Sequence, residues 1–365
     1  MQLVRSWPYS IAVGVSLMVG IAAVIGSYSL GIPLKDPEGF LGPAYVRLPL
    51  LAFLLSAAGI LIAAVRRRGV KEIKTGVVEV VKHEWNLRRA FYIMTGLATF
   101  YVSYVGYRNL KSVLPIFRDG TLYDRELLEM DRWFFGGVDP AVVLHTVLGT
   151  DIAAVLLSAV YLAYLPLVPI SLGVFLVLSR DVAVGAWYAT ALCLNWVLGV
   201  VSYYMLPAVG PIYSRPDLYA DLPTTSVTGL QQGLLNNRLE FVTSPETSDA
   251  IHGVAAFASL HVSVTFAAAL FLHYTVRSRS IRIAGWTFFA LTSVATIYFG
   301  WHYVIDNFAG MLIGWAAVMI GARATGITKE KRRSLRDQPA LDVDAPDDVI
   351  EEQEAETVGS GSSRD

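Results

Sequence analysis

The chain is 365 residues long, with 54% apolar and only 16% charged residues, where a soluble domain carries about a quarter charged. That composition excludes an ordinary water-soluble globule. The formal net charge of -1 conceals basic residues at the ends of apolar runs and acidic ones near the C-terminus, a topology pattern that argues against a nucleic-acid partner. The single cysteine, Cys193, lies inside an apolar run and forms neither an intrachain disulfide nor a zinc cluster.

A membrane-spanning helix needs about 20 mainly apolar residues. Runs of that kind cover residues 9–32, 44–65, 90–107, 152–178, 184–206, 262–276, 283–299 and 303–322, the sixth being short. They predict an all-α integral membrane protein with about eight transmembrane helices, a six-helix catalytic core bundle and short interfacial helices. The first run follows Arg5 without a clear small-residue cleavage site and reads as a retained span rather than a removed signal peptide. Residues 71–89 set Ile73, Val77, Val80, Val81 and Trp85 among Lys and Glu at near-helical spacing, an amphipathic helix for the cytoplasmic interface. Residues 121–133 read similarly on the other side, ended by Gly136 and Gly137.

Basic clusters orient these spans, because loops rich in Arg and Lys stay in the cytoplasm. Arg66, Arg67 and Arg68 follow the second run; Arg277, Arg279 and Arg282 link the sixth and seventh; Lys329, Lys331, Arg332 and Arg333 follow the eighth. Eight spans with both termini cytoplasmic put all three clusters inside and residues 108–151 and 207–260 outside. Four parts are expected: two N-terminal spans (1–68), the cytoplasmic amphipathic segment (69–89), the membrane core (90–322), and an acidic tail (323–365) too poor in apolar residues to fold.

On the outer side the chemistry-bearing residues converge. His302 and Asp306 open the eighth span at i and i+4, so one helical face is expected to present both. An aspartate within a spanning helix costs about 2.5–3.5 kcal/mol and is a functional candidate, against the plainer reading of a helix contact and a capping histidine. Pairing with it would fix the imidazole tautomer and leave the far nitrogen free as nucleophile or base. Ser259 and His261 open the sixth span on the same side. Two imidazoles and a carboxylate suit displacement at phosphorus, one histidine attacking and the other moving the proton of the leaving oxygen. Fixed cations must then hold the non-bridging oxygens. Arg108, Lys111 and Arg118 follow the third span and supply them, although each taken singly also reads as an interfacial anchor.

This constellation resembles the type-2 phosphatidic acid phosphatase superfamily, and most of all its inositol phosphorylceramide synthase branch. The superfamily's first motif is lysine, six residues, arginine-proline; Lys111 and Arg118 have that spacing, with Asp119 in place of proline. Ser259 and His261 fit the Pro-Ser-Gly-His motif, with Ala258 and Leu260 substituted. His302 and Asp306 fit the third, while Ala295 and Thr296 replace its serine and arginine. The stretches Asp131-Arg132-Trp133-Phe134-Phe135-Gly136-Gly137 and Pro207-Ala208-Val209-Gly210-Pro211 look like the synthase branch, and the likeness covers about residues 90–322.

The resemblance implies a metal-independent enzyme without cofactor, in which His302 is the nucleophile oriented by Asp306. It further implies His261 as general acid and base, and Lys111, Arg118 and Ser259 as phosphate contacts, with Arg108 a rival to Lys111. Substrates would be a phospholipid or lipid phosphate, with a lipid alcohol as acceptor if a phospho-headgroup, perhaps phosphoinositol, is transferred. Hydrolysis of phosphatidic acid-like or polyprenyl phosphate substrates is the alternative. A transporter or an inactive membrane scaffold is the reading from other classes. His252 and residues 215–248 share the outer side by position alone; His83, His145 and His273 receive no role.

Overall fold

A computed structural model describes residues 7–37, 43–179, 181–248 and 251–337. Among them the chain is all helical, without strands. In chain order the helices are α1 (Ser10–Leu30), α2 (Ala44–Arg68), α3 (Ile73–Glu84), α4 (Leu87–Phe117), α5 (Asp124–Phe134), α6 (Pro140–Leu148) and α7 (Ile152–Leu178). They continue as α8 (Val182–Met205), α9 (Pro211–Ser214), α10 (Ser226–Thr243), α11 (Leu260–Thr275), α12 (Arg279–Tyr298), α13 (Val304–Ala324) and α14 (Lys329–Asp337). Six of these, α1, α2, α7, α8, α12 and α13, are long and apolar enough to cross a membrane, so the chain is a multi-pass membrane protein.

α8 is the axis of the bundle. It is buried along nearly its whole length and packs against α4, α7, α11 and α13, while α12 closes the ring on α7 and α11. α1 lies along α4, and α2 lies along α7. Outward faces of the flanking helices carry Leu17, Ile21, Ile25, Phe53, Leu54, Leu156, Phe308 and Leu312, all exposed. In water such a surface would drive aggregation, whereas lipid tails are as apolar as leucine.

Where expected and observed elements differ, the reasons are local. The third span does not end near Tyr107; α4 continues through Arg108 and Lys111 to Phe117, so these cations project from a helix rather than from a following loop. Asn86 caps its start by accepting the Arg89 N–H at 2.8 Å. The sixth span is the 16-residue α11, about 24 Å long against a hydrocarbon core of about 30 Å. Its length alone does not carry it across, and its cap Ser259 is fully buried. The amphipathic segment forms α3, bound back onto α2 by Arg68–Glu79 at 2.9 Å and by an Arg67–Glu84 pair. Residues 207–260, expected as loop, contain α10, whose cap Thr225 pairs with Thr228. The segment expected as unstructured tail opens with the end of α13 and with α14; residues 338–365 lie outside the described residues.

One contact fixes the geometry of the whole site end. α13 presents Gly310 and Gly314 to α11, and a Cβ at either would lie 2.4 Å from a backbone carbonyl, that of Ser259 or of Ser263. Small residues at this i, i+4 spacing let two helices approach at backbone distance. Backbone carbonyls cannot yield as a flexible side chain would. Gly310→Ala and Gly314→Ala should therefore each destabilise the protein by about 1–3 kcal/mol and lower its melting temperature in detergent. Gly229→Ala, in α10 and facing open space, should be neutral or stabilising. Equal melting temperatures for all three would show that the α11–α13 approach is not tight.

Candidate active site

α12 ends at Tyr298 and the chain reverses through Gly300, which has φ +70° and no room for a side chain because Tyr219 lies against it. His302 follows in the linker, and Tyr303 caps α13. His302 thus lies ahead of the helix rather than on its face, and the expected i, i+4 pairing with Asp306 forms through the helix start instead. Asp306 turns back on the helix start, its Oδ2 accepting the Tyr303 N–H at 2.9 Å. That brings the same oxygen to 3.4 Å from Nδ1 of His302.

The nearer partner of Nδ1 is the carbonyl of Ala256, at 2.9 Å. A carbonyl only accepts, so Nδ1 carries the proton and donates it. Burial, together with the nearby Lys111 ammonium, holds the imidazole well below its ordinary value and hence neutral. A neutral ring protonated on Nδ1 leaves a lone pair on Nε2. The Ala256 carbonyl and the Asp306 carboxylate together select this tautomer.

His261 sits in the first turn of α11, stacked on Tyr161 of α7 at 4.6 Å and beside Tyr164 at 4.4 Å. Its ring centroid is 5.9 Å from that of His302. Tyr161 in turn lies parallel to Trp301 at 5.3 Å. The two imidazoles therefore face each other inside an aromatic enclosure. Ser259 is the cap of α11, its Oγ accepting the Val262 N–H at 3.4 Å, and its hydroxyl proton remains available to donate.

Lys111 is buried, with Nζ 3.4 Å from the Tyr107 hydroxyl and 4.8 Å over the Tyr203 ring. Arg108 stands one helical turn away and near enough for the two cations to repel. Its Nε is buried without an acceptor. Neither residue forms an ion pair among the described residues. Arg118 lies beyond the end of α4, about 10 Å past Lys111 along the axis, and makes no hydrogen bond or ion pair with either histidine or with Asp306. Of the expected cations, the structure brings Lys111 toward the imidazoles and Arg108 beside Lys111 and Gly253, and leaves Arg118 apart. Thr296 is spent on helix packing, its Oγ1 donating to the Ser293 carbonyl at 2.8 Å and meeting Asn307 Oδ1 at 3.3 Å.

Several supporting residues escaped the sequence reading. Asp124 of α5 accepts from the Val209 and Gly210 N–H groups at 3.0 and 2.8 Å and from the Tyr303 hydroxyl at 2.9 Å. Asp131 accepts from the Val304 N–H at 2.8 Å. Gly210, with φ +95°, admits no Cβ because the Trp301 carbonyl would be 2.5 Å away. Asp131 and Gly210 lie in the two stretches quoted above, residues 131–137 and 207–211, which lean on the linker that carries His302, whereas Asp124 had no such signal. His252 is fully buried with Nε2 2.6 Å from Nη1 of Arg238, a pairing that nothing in the sequence announces.

A neutral imidazole with a bare nitrogen, a second imidazole, and two cations without acidic partners are the equipment for displacement on an anionic substrate. The sequence model of one protein family, described as the PAP2 superfamily, matches residues 125–320, more than half of the chain. His261, His302 and Asp306 fall within that match, whereas Arg108, Lys111 and Arg118 precede it. No curated protein and no solved structure gives a significant match.

Burial raises the Asp131 carboxyl to about 6, and its Oδ1 has no partner. A carboxyl raised on folding contributes stability that is complete below its unfolded value near 4 and is lost as pH rises through about 6. Asp131→Asn keeps an acceptor for Val304 and removes the ionisation. The melting temperature of the variant relative to wild type should rise between pH 4 and pH 7. A difference that stayed constant across that range would mean that Asp131 ionises without cost.

Proposed function

The chain belongs to the PAP2 superfamily, and from that premise we propose that it moves a phospho-headgroup between lipids through a phosphohistidine on His302. Membership itself points to an activity of the lipid phosphatase or phosphotransferase type on lipid phosphates within a bilayer. The observation that carries the finer reading is the fixed tautomer of His302, 5.9 Å from His261.

In the proposed first step Nε2 of His302 attacks phosphorus and the phosphorus–oxygen bond to the leaving group breaks. His261, protonated to imidazolium when the anionic substrate binds, gives that proton to the departing oxygen and is left neutral. As the nitrogen–phosphorus bond forms, His302 takes on positive charge while Nδ1 keeps its proton, and the Ala256 carbonyl and the Asp306 carboxylate stabilise that cation. In the second step His261 takes the proton of an acceptor hydroxyl, whose oxygen attacks phosphorus, and the nitrogen–phosphorus bond breaks. Lys111 and Arg108 hold the non-bridging oxygens, with Ser259 donating a further hydrogen bond. Arg118 is the weaker candidate for the same work because of its distance along α4.

The choice of acceptor separates transferase from phosphatase. Tyr161, Tyr164, Tyr203 and Trp301 wall the site with aromatic surface, which disfavours free entry of water and suits a lipid alcohol. This supports transfer, as does the likeness to the inositol phosphorylceramide synthase branch. In the proposed topology eight helices cross the bilayer: the six long apolar ones together with α4 and α11. Both termini are then cytoplasmic and the site is extracytoplasmic.

His302→Ala and His261→Ala should each lower turnover by at least about 100-fold without loss of the folded protein, and Asp306→Asn should leave a small residue of activity. The assay supplies phosphatidylinositol or phosphatidic acid labelled in the headgroup phosphate, in mixed micelles, with and without diacylglycerol or ceramide. Label on a new lipid would establish transfer; label released to water irrespective of acceptor would establish hydrolysis. Wild-type rates in His302→Ala would remove the mechanism, and no movement of label from any donor would return the transporter and scaffold readings. In sealed right-side-out vesicles, tags at both termini should resist protease while a site engineered into residues 224–248 is cut. The inverse pattern would reverse the orientation.

A further inference from the structure

One cluster beside Lys111, a buried imidazole with two half-buried guanidinium groups, is out of electrostatic balance. His252 lies in the segment between α10 and α11, fully buried, its backbone N–H donated to Ser112 Oγ at 2.9 Å. Nδ1 accepts the Val254 N–H at 2.9 Å, which occupies its lone pair. Burial, reinforced by Arg238, Lys111 and Arg108, pushes the ring well below its ordinary value, so it is neutral and must carry its single proton on Nε2. Yet Nε2 stands 2.6 Å from Nη1 of Arg238, which only donates. Two N–H groups therefore confront each other with no acceptor between them.

The surrounding charges deepen the imbalance. The Arg108 guanidinium approaches from the other side of the same segment: a Cβ on Gly253 would lie 3.7 Å from its Nη1, and its Nε is buried without an acceptor. Among the described residues, Arg108, Lys111 and Arg238 form no ion pair. Asp124 is the carboxylate that acts on Arg238, but its oxygens are committed to Val209, Gly210 and Tyr303. Glu240 is turned to the Ser248 hydroxyl. A buried Lys111 and two half-buried guanidinium groups around a neutral imidazole, with every nearby carboxylate engaged elsewhere, leave positive charge that an anion would complete. A phosphate oxygen accepts from both an imidazole N–H and a guanidinium fork.

We propose that Arg238, with His252 and Arg108, forms an anion subsite that holds the phosphate of the lipid headgroup beside Lys111. This rests on the reading of the site as a phosphoryl-transfer centre and adds a contact supplied by α10, far in sequence from the cations of α4. Arg238 binds the phosphate directly, and His252 is a positioning residue that aligns the guanidinium. The subsite contacts the headgroup phosphate in the ground state, so its loss is expected mainly in KM.

The full chain in detergent tests this with orthophosphate and dihexanoyl phosphatidic acid as probes, read by thermal unfolding and by inhibition of label transfer. Both probes should raise the melting temperature of wild type. Arg238→Ala should lose that shift and raise both inhibition constants about 10- to 100-fold, the range for a hydrogen bond to a charged group. Arg238→Lys, which keeps the charge without the fork, should fall between the two. Arg238→Gln replaces the alanine variant should that one not accumulate. Unchanged inhibition constants and melting shifts in the alanine or glutamine variant would overturn the subsite, whatever its effect on stability without ligand. A weakening confined to orthophosphate would overturn its assignment to the lipid headgroup. His302→Ala, measured in parallel, keeps the two claims apart. If it still turns over, the histidine mechanism fails while the binding arm continues to report on Arg238; if it is dead and Arg238→Ala binds both probes normally, the subsite alone fails.

Discussion

The candidate site depends on two helices that meet at backbone distance. The N–H of Ser259, which caps α11, donates to the carbonyl of Asp306 in the first turn of α13 at 3.1 Å. Directly beneath it Gly310 leaves no room for even a Cβ against the Ser259 carbonyl. In an aqueous protein a lost bond of this kind would be replaced by water, but in a bilayer the free N–H has no such recourse. The contact therefore locks the start of α11 to the start of α13, and with them His261 to His302. A misplacement of about 1 Å between reacting groups can cost 10²-fold in rate. Gly310 and Gly314 thus set the spacing of two imidazoles that they never touch.

Around this joint the chain uses carboxylates as helix caps. The first turn of α13 has N–H groups without intrahelical partners, and its dipole favours negative charge there. Asp306 takes the N–H of Tyr303, and Asp131, reaching across from α5, takes that of Val304. Asp124 holds the Tyr303 hydroxyl and the turn at residues 209–210 together. The His302 linker is consequently gripped from the α5 side and from within its own helix, leaving the ring little freedom except to face His261. Gathering three carboxylates has a cost, visible in the raised Asp131, to which Asp306 contributes after burial. The backbone donors offset it.

What the sequence disclosed was of two kinds. Apolar runs fixed the helices that face lipid, because their composition is imposed by the solvent. Histidines stood out because imidazole is rare and polar at a span end. The contacts that decide the chemistry had no comparable signature. The partner that sets the His302 tautomer is the carbonyl of Ala256, a group every residue carries. Periodicity suggested that His302 and Asp306 share a helix face, and they meet instead through a cap, because the helix begins one residue later than the pattern implies. The extension of α4 through Lys111 was hidden for the opposite reason: cations lowered its hydropathy where a span seemed to stop, although the helix had protein rather than lipid around it. Arg238 was masked by a polar stretch that reads as loop until α10 is seen to pack on α7.

These placements divide the site between two parts of the chain. His261, His302 and Asp306 belong to the stretch that matches the family, while Arg108 and Lys111 project from α4, ahead of it. The cationic half needs its own support, and α1 provides it. α1 lies along α4, where the Val19 backbone comes so close to Gly106 that a Cβ there would lie 3.1 Å from its carbonyl oxygen. Beyond the end of α1, the backbone of Lys35 and the side chain of Asn109 exchange two hydrogen bonds, at 2.9 and 2.8 Å. Asn109 thereby sits in a strand-like clasp between Arg108 and Lys111, fixing the rotation of α4 about its axis. A rotation of one residue, 100° in an α-helix, would carry both cations to another side of the helix. The first helix therefore acts on the candidate site from a distance: it sets the angular position of α4, and through it the positions of Arg108 and Lys111.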